Sequence, residues 1–457
     1  MQSPPIDPCL TSADTVVLRT LLHDIDVASN DTHSNGQSRS VTKAGLKEQS
    51  SGHAPSDQDP IELLAALNDE TSDQFETTVL TGWDEKDIRL PALLHTWIWE
   101  PYIQWAQGVV RRPTDVVFLS HILIYLFTSV PSAVYLYYRF SYLHGIFHWV
   151  MQGWYCGSFT LMLHNHIHNN GVLSKDYWWF DHAWPYVLEP LMGHTWDSYF
   201  YHHVKHHHAE SNGPDDLSST VRYQRDEILD FLAYVGRFLF LIYFELPYYF
   251  LRKRKPKLAT QAAVSETLSY LFIVLMAKMN IRATVFVLII PLVQMRIGMM
   301  VGNWGQHAFV DEVEPDSDFR SSITLIDVPS NRYCFNDGWH TSHHLNPRRH
   351  WRDHPASFLK AKKQYEDGRA LVFRNIDYIM ITIKLMQKDY DHLARCLVPM
   401  GDQIRLSHHE KMDLLRSKTR KFSEEDIERK FPKAGGRVVK TTVPETVVRC
   451  SGSQPFR

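Results

Sequence analysis

The chain has 457 residues, enough for one large domain or two to three ordinary ones. Its 48 Lys and Arg against 51 Asp and Glu leave a formal net charge of −3, which excludes a global electrostatic bias toward nucleic acid. Five scattered cysteines (Cys9, Cys156, Cys334, Cys396, Cys450) with no CxxC pair exclude a disulfide scaffold and a cysteine-type structural zinc site, and suggest a reducing, cytosolic side.

Residues 1–58 are rich in Ser, Asp, Thr and Gly without sustained periodicity, and they read as largely disordered. No basic stretch followed by an apolar core opens the chain, so membrane insertion is expected to use internal segments. A short helix is expected within 60–80, where Ile61, Leu63, Leu64 and Leu67 cluster. Residues 1–85 thus form a largely disordered N-terminal region. Residues 88–110 mix Trp97, Ile98, Trp99, Tyr102, Ile103 and Trp105 with polar positions, a pattern for an amphipathic helix on a membrane surface.

Val116–Tyr138 and Ser141–Leu163 are each 23 residues without a charged side chain. A bilayer core needs about 20 such residues per helix, so the two segments, joined at Arg139, predict a transmembrane hairpin. Arg111 and Arg112 put its ends in the cytosol. Three further apolar stretches follow: Ile228–Leu251, Ala263–Ile281 and Arg282–Asn303. The first carries Asp230, Arg237, Glu245 and Pro247 and runs into Arg252–Lys257 (RKRKPK), so it is not expected to cross. The other two predict a second hairpin turning near Asn280, with Arg296 an expensive charge inside its second arm. The fold class is therefore all-α membrane protein: about four transmembrane helices in two hairpins, carrying a cytosolic histidine-rich domain. Residues 86–360 form that unit. Residues 361–457 are expected to be a cytosolic C-terminal helix, with apolar spacing over Asn375–Arg395, and a charged tail.

The 26 histidines are not spread evenly. HNHIH (His164 to His168) follows the second span, and His164 and His168, four apart, share one helical face while His166 points elsewhere. HHVKHHH (His202 to His208) offers either His203 with His206 and His207 or His203 with His207 and His208. HTSHH supplies His340, His343 and His344, and NWGQH places Asn303 and His307 four apart at the end of the last span. One such pair is usually a satisfied core or surface feature. Four clusters, each at the cytosolic end of an apolar hairpin or in the polar stretch after one, are another matter. Neutral imidazole is the commonest metal ligand, and eight or nine exceed what one ion takes. A nitrogen cage for two ions near a membrane, without cysteines, suits iron and oxygen better than structural zinc.

The order H-x3-H, then H-x2-H-H or H-x3-H-H, then H-x2-H-H resembles the membrane fatty acid desaturase superfamily, which also contains alkane and lipid hydroxylases. HTSHHLNPRR, and the second box continued by Pro214, Asp215 and Asp216, are similar to alkane monooxygenases. The resemblance implies two iron ions held by His164, His168, His203, His207, His307, His340, His343 and His344. His206 or His208 completes the second box, and Asn303 holds a ligand or a metal-bound water. It implies dioxygen as co-substrate, a lipid or acyl chain as substrate, and oxidation of an unactivated C–H bond to a double bond or, alternatively, an alcohol. Asp197, Asp215, Asp216 and Asp337 lie beside the boxes and are candidate acceptors for imidazole N–H groups. Arg222, Arg225, Arg252–Lys257, Arg348, Arg349 and Arg352 give basic patches for lipid, a head group or an acidic carrier. No His-Pro-Gly-Gly haem signature or dinucleotide fingerprint is evident, so electrons are expected from a separate donor such as a b-type cytochrome with its reductase, or a ferredoxin. The implied location is the endoplasmic reticulum, with both termini cytosolic. A rival of another class is a histidine-based zinc membrane protein, whose weakness is ligand number: hydrolytic zinc takes three protein ligands and a water.

Overall fold

The computed structural model describes residues 10–34, 59–326 and 328–431. The described residues are mostly helical, with four short strands among them. An N-terminal helix α1 (Ser12–Ser34) leads to α2 (Pro60–Ala66), capped by the Asp59 carboxylate. Strands β1 (Thr78–Leu80) and β2 (Trp83–Asp84) form a small antiparallel hairpin. The disorder expected for residues 1–58 does not hold at 12–34, and the remaining residues of that stretch lie largely outside the described ones. Val17, Leu18 and Leu21, an apolar stripe hidden among polar residues, are buried against Leu64, Phe358 and Tyr365.

The amphipathic segment is present as a π-helical turn, His95–Trp99, continued by α3 (Glu100–Val109). Leu93, Trp97, Ile98 and Trp105 are exposed while Ile103, Ala106 and Val109 are buried, so the helix is apolar on its outer face too. Helices α4 (Val116–Tyr138) and α5 (Tyr142–Asn169) reverse at Arg139 and Phe140, and the Ser141 hydroxyl accepts the His144 N–H to cap α5. Ser129 donating to Gln152, and Ser132 against His144 and His148, pair the arms through side chains. Helix α6 (Ile228–Arg252) then packs against α7 (Pro256–Thr284) and α8 (Ile290–Gln306), and a π-helical turn at Val285–Ile289 runs directly into α8.

Among the described residues, two stretches are long and apolar enough to cross a membrane, 113–138 and 256–306. The second is not one rod. Asn280 has extended backbone angles (φ −158°, ψ 97°), and its side-chain oxygen accepts the Ala283 N–H at 3.2 Å, capping the helical turn beyond it. Glu266 and Arg296 form an ion pair across the turn, whereas 30 residues of unbroken helix would hold them about 45 Å apart. The chain therefore folds back at Asn280, where the hairpin is expected, and the charge at Arg296 has a partner on the opposite arm.

The unit does not end at residue 360. Strand β3 (Ile323–Ile326) pairs in parallel with β4 (Leu371–Arg374), so residues beyond 360 complete a sheet begun before it. Helix α9 (His340–Leu345) lies against β3, and α10 (Tyr378–Met386) lies along α8 so closely that a Cβ on Gly305 would stand 2.4 Å from the Tyr378 carbonyl oxygen. The predicted helix over 375–395 is two, α10 and α11 (Tyr390–Cys396), broken where Lys388 takes φ 55°. Arg225, expected in a basic patch, is fully buried and donates to the carbonyls of Ala308, Lys418 and Arg420. Arg222 pairs with Glu424, and Arg252 and Lys253 with Asp215, so much of the expected patch is already neutralised.

Candidate metal centre

The last turns of α5 aim His164 and His168 at one point. His166, on the far face, bonds through Nε2 to the Asp181 carbonyl at 2.9 Å and serves structure. The second cluster sits on a π-helical turn, Phe200–His207. There the His208 N–H bonds to the carbonyl of His203, five residues back. In the widened turn the His208 Nε2 comes within 3.1 Å of the His203 Nε2, whereas His206 and His207 offer their nitrogens to other groups. Helix α9 brings His340, His343 and His344, and His307 closes the C-terminus of α8.

Five ring nitrogens, from His164, His168, His203, His208 and His343, lie within 4.8 Å of one another. Four of the Nε2 atoms form a closed ring: His164 to His203 2.8 Å, His203 to His208 3.1 Å, His208 to His343 2.9 Å and His343 to His164 3.1 Å. The Nε2 of His168 is buried with no hydrogen-bond partner. These contacts make a poor hydrogen-bond network, because a neutral Nε2 either carries a proton or offers one lone pair, and each atom here faces two others. They do suit a cation. The centre of a square with these sides is roughly 2.1 Å from each corner, within the usual metal–imidazole range.

A second group adjoins the first. His207, His307 and His344 offer nitrogens within 4.8 Å, and His340 Nε2 stands 3.1 Å from His307 Nε2. The rings of His208 and His344 are 5.2 Å apart, centre to centre, which places the groups side by side. Burial, reinforced by neighbouring imidazoles, holds His203, His208, His307, His340 and His343 well below the usual histidine range, so these rings are neutral and able to ligate.

Outside the cage, His207 Nδ1 bonds to Asp216 Oδ2 at 2.7 Å, which directs the Nε2 lone pair inward. Burial pushes the Asp216 carboxyl up, but His207, with His206 and His202, more than reverses this and holds it below the usual carboxylate range. Of the four expected second-layer acids only Asp216 holds an imidazole. Asp215 pairs with Arg252 and Lys253, and Asp197 accepts from Tyr186. Asp337 borders the cavity, where burial raises it to about 7. Sequence reasoning missed Asp318, whose Oδ1 is 3.6 Å from His344 Nδ1 and which no local motif marks. His206 stands apart with His202, its Nε2 accepting the Leu217 N–H. The Asn303 amide donates to the Ser218 carbonyl at 2.9 Å and to the Tyr234 hydroxyl, and the residue lines the large cavity.

That cavity, of ≈ 370 Å³, runs between α5 and α8. Its walls combine His164, His168, His203, His343 and Asp337 with Leu161, Gly157, Gly298 and Met299, so metal-competent imidazoles share a cavity with apolar side chains. A family model described as Fatty acid desaturase matches residues 142–375, just over half the chain and a span containing all nine caged histidines. No curated protein and no solved structure gives a match.

Proposed function

The chain belongs to the fatty acid desaturase family, and from that premise we propose that it is an oxygen-dependent, di-iron oxidoreductase that introduces a double bond into a long acyl or lipid chain. The observation that carries the reading is the division of nine imidazoles into adjoining groups of five and four, too many for one ion and without the sulfur of a structural zinc site. His164, His168, His203, His208 and His343 would hold one iron, and His207, His307, His340 and His344 the other. Irons held there would supply the dioxygen chemistry that breaks an unactivated C–H bond.

The protein's own part is placement. The slot beside Gly157 and Gly298 admits an extended chain to the nitrogens, and Leu161 and Met299 keep water from it. Asp216 fixes the tautomer and tilt of His207. Asp337, held near neutrality at the cavity wall, can carry a proton beside the site at physiological pH. We read both helical hairpins as membrane-spanning, with the histidines and both termini on the cytosolic side of an endoplasmic reticulum membrane. The uncharged 23-residue runs and the reversal at Asn280 support this. Electrons would come from a separate carrier, such as a b-type cytochrome with its reductase or a ferredoxin.

The test is expression in a host of known lipid profile, with iron and zinc measured per chain and products identified by mass. Two irons per chain and a product two hydrogens lighter are expected. A gain of one oxygen would make the enzyme a hydroxylase, and zinc with no oxygen consumption would overturn the redox reading.

A further inference from the structure

A second cavity, of ≈ 60 Å³, adjoins the large one and shares Tyr199, His202, Met295 and Met299 with it as walls. It lies deeper between the helices. Arg296, which borders it, precedes His307 by eleven residues, about 16 Å along α8. Its walls are mostly hydrocarbon, from Phe238, Ile242 and Leu246 among others, but one side is built from an ion pair.

Glu266 of α7 accepts from Arg296, from the Tyr270 hydroxyl and from the Thr195 hydroxyl, and is 6% exposed. The carboxylate is thereby satisfied. The guanidinium is not: it carries five N–H donors, and among the described residues it meets the Glu266 carboxylate and, beside it, Tyr270. None of its nitrogens is both fully enclosed and unpartnered, so the remaining donors border open space. The Thr195 and Ser198 hydroxyls stand on the same wall. An ion pair at this depth is costly, and a cavity built to receive only a methyl-ended chain would be better lined throughout with hydrocarbon. The pair is also neutral as a unit. A third charge would leave a net charge buried, whereas an uncharged oxygen accepts from the spare N–H groups without one.

We propose that this deep cavity is a polar terminus for the substrate, selecting a chain that carries an uncharged oxygen, a hydroxyl or carbonyl, at the end that enters first. The inference rests on the reading of the larger cavity as the chain's channel, and it names the substrate class: an oxygenated rather than a plain aliphatic chain. Arg296 is the specificity-determining donor, and Glu266 and Thr195 position it.

The test compares ω-hydroxypalmitate with palmitate as probes on the full-length, metal-loaded protein in detergent, reading affinity by thermal stabilisation and turnover separately by mass. Losing a hydrogen bond to a charged donor corresponds to roughly tenfold in affinity, so the hydroxylated chain is expected to bind about ten times more tightly. In Glu266→Leu/Arg296→Met the preference should fall to within about twofold. Arg296→Lys retains the charge and the pairing, so it serves if the double variant does not fold, and it should lower the preference at least threefold. Equal affinity of the wild type for the two probes, or binding of neither, overturns the inference. The two readings fail separately. A hydroxyl preference without oxidised product would keep this pocket and sink the oxidative reading, and oxidised product from both chains with equal affinity would do the reverse.

Discussion

Asp216→Asn isolates one half of the candidate metal centre. The carboxylate accepts four hydrogen bonds: from His207 Nδ1 at 2.7 Å, the Asn212 N–H at 3.1 Å, the Ser218 N–H at 2.8 Å and the Ser218 hydroxyl at 2.7 Å. An amide keeps the volume but must turn its NH2 toward one of these two pairs of donors, so two contacts become donor against donor. With a net worth of about 1.5–3 kcal/mol for each bond to a charged acceptor, this corner loses roughly 3–6 kcal/mol, part of it recovered by relaxation. The metal feels the loss of His207 orientation, for which a factor of about 10–100 in affinity is expected. Only the four-histidine group contains His207, and none of the five nitrogens of the other group bonds to Asp216. If the two groups hold the two irons proposed, the variant purified in the presence of a competing chelator should therefore fall from two irons per chain toward one, with turnover lost and helix content unchanged. Full retention of both metals, or parallel loss of both from a folded protein, would refute the assignment of Asp216 and the division into two groups.

On the same di-iron reading, the register of the second cluster predicts that His208→Ala removes metal from the five-histidine group and abolishes turnover, while His206→Gln keeps the wild-type metal content, as elemental analysis of the two proteins will decide. In metal-free protein, Asp337 is raised to about 7 by burial, against an ordinary value near 3.9, so the folded state holds a proton that the unfolded state has released. Stability contributed by this group is therefore present at low pH and lost as pH rises from about 4 to about 7, by ~1–2 kcal/mol once water in the cavity is allowed for. Asp337→Asn should flatten that part of the Tm-against-pH curve and leave the protein more stable than wild type above pH 7. Finally, Gly305→Ala puts a methyl group 2.4 Å from the Tyr378 carbonyl oxygen, a backbone atom that cannot swing aside. It should cost about 1–3 kcal/mol and loosen α10 from α8, visible as a lower Tm and earlier proteolysis between 375 and 390.

Much of the architecture is legible because charge and apolar length are local properties. The uncharged runs either side of Arg139 are helices α4 and α5, and the turn at Asn280 falls where two apolar arms need one. The N-terminal helix was hidden because its buried stripe is only Val17, Leu18 and Leu21, meaningful once Leu64 and Phe358 are known to face it. The parallel pairing of Ile323–Ile326 with Leu371–Arg374 joins segments almost fifty residues apart, and nothing within either strand specifies the other. The basic residues mislead for a related reason: composition counts Arg225 as surface charge, whereas the fold buries it among carbonyls.

The metal centre divides along the same line. Spacing alone pairs His164 with His168, because an ordinary helix puts i and i+4 on one face. The same rule applied to HHVKHHH pairs His203 with His207 and leaves the third member open between His206 and His208. The π turn decides it, since a hydrogen bond five residues long carries His208 back over His203 and releases His207 to the neighbouring group. One widened turn thus lets a single run of histidines serve both groups at once, with His203 and His208 facing one and His207 the other. It also explains why the acid lies where it does: His207, turned outward from the first group, meets Asp216 nine residues on, so the only one of the four expected acids to orient a caged imidazole belongs to the residue that the altered turn displaced.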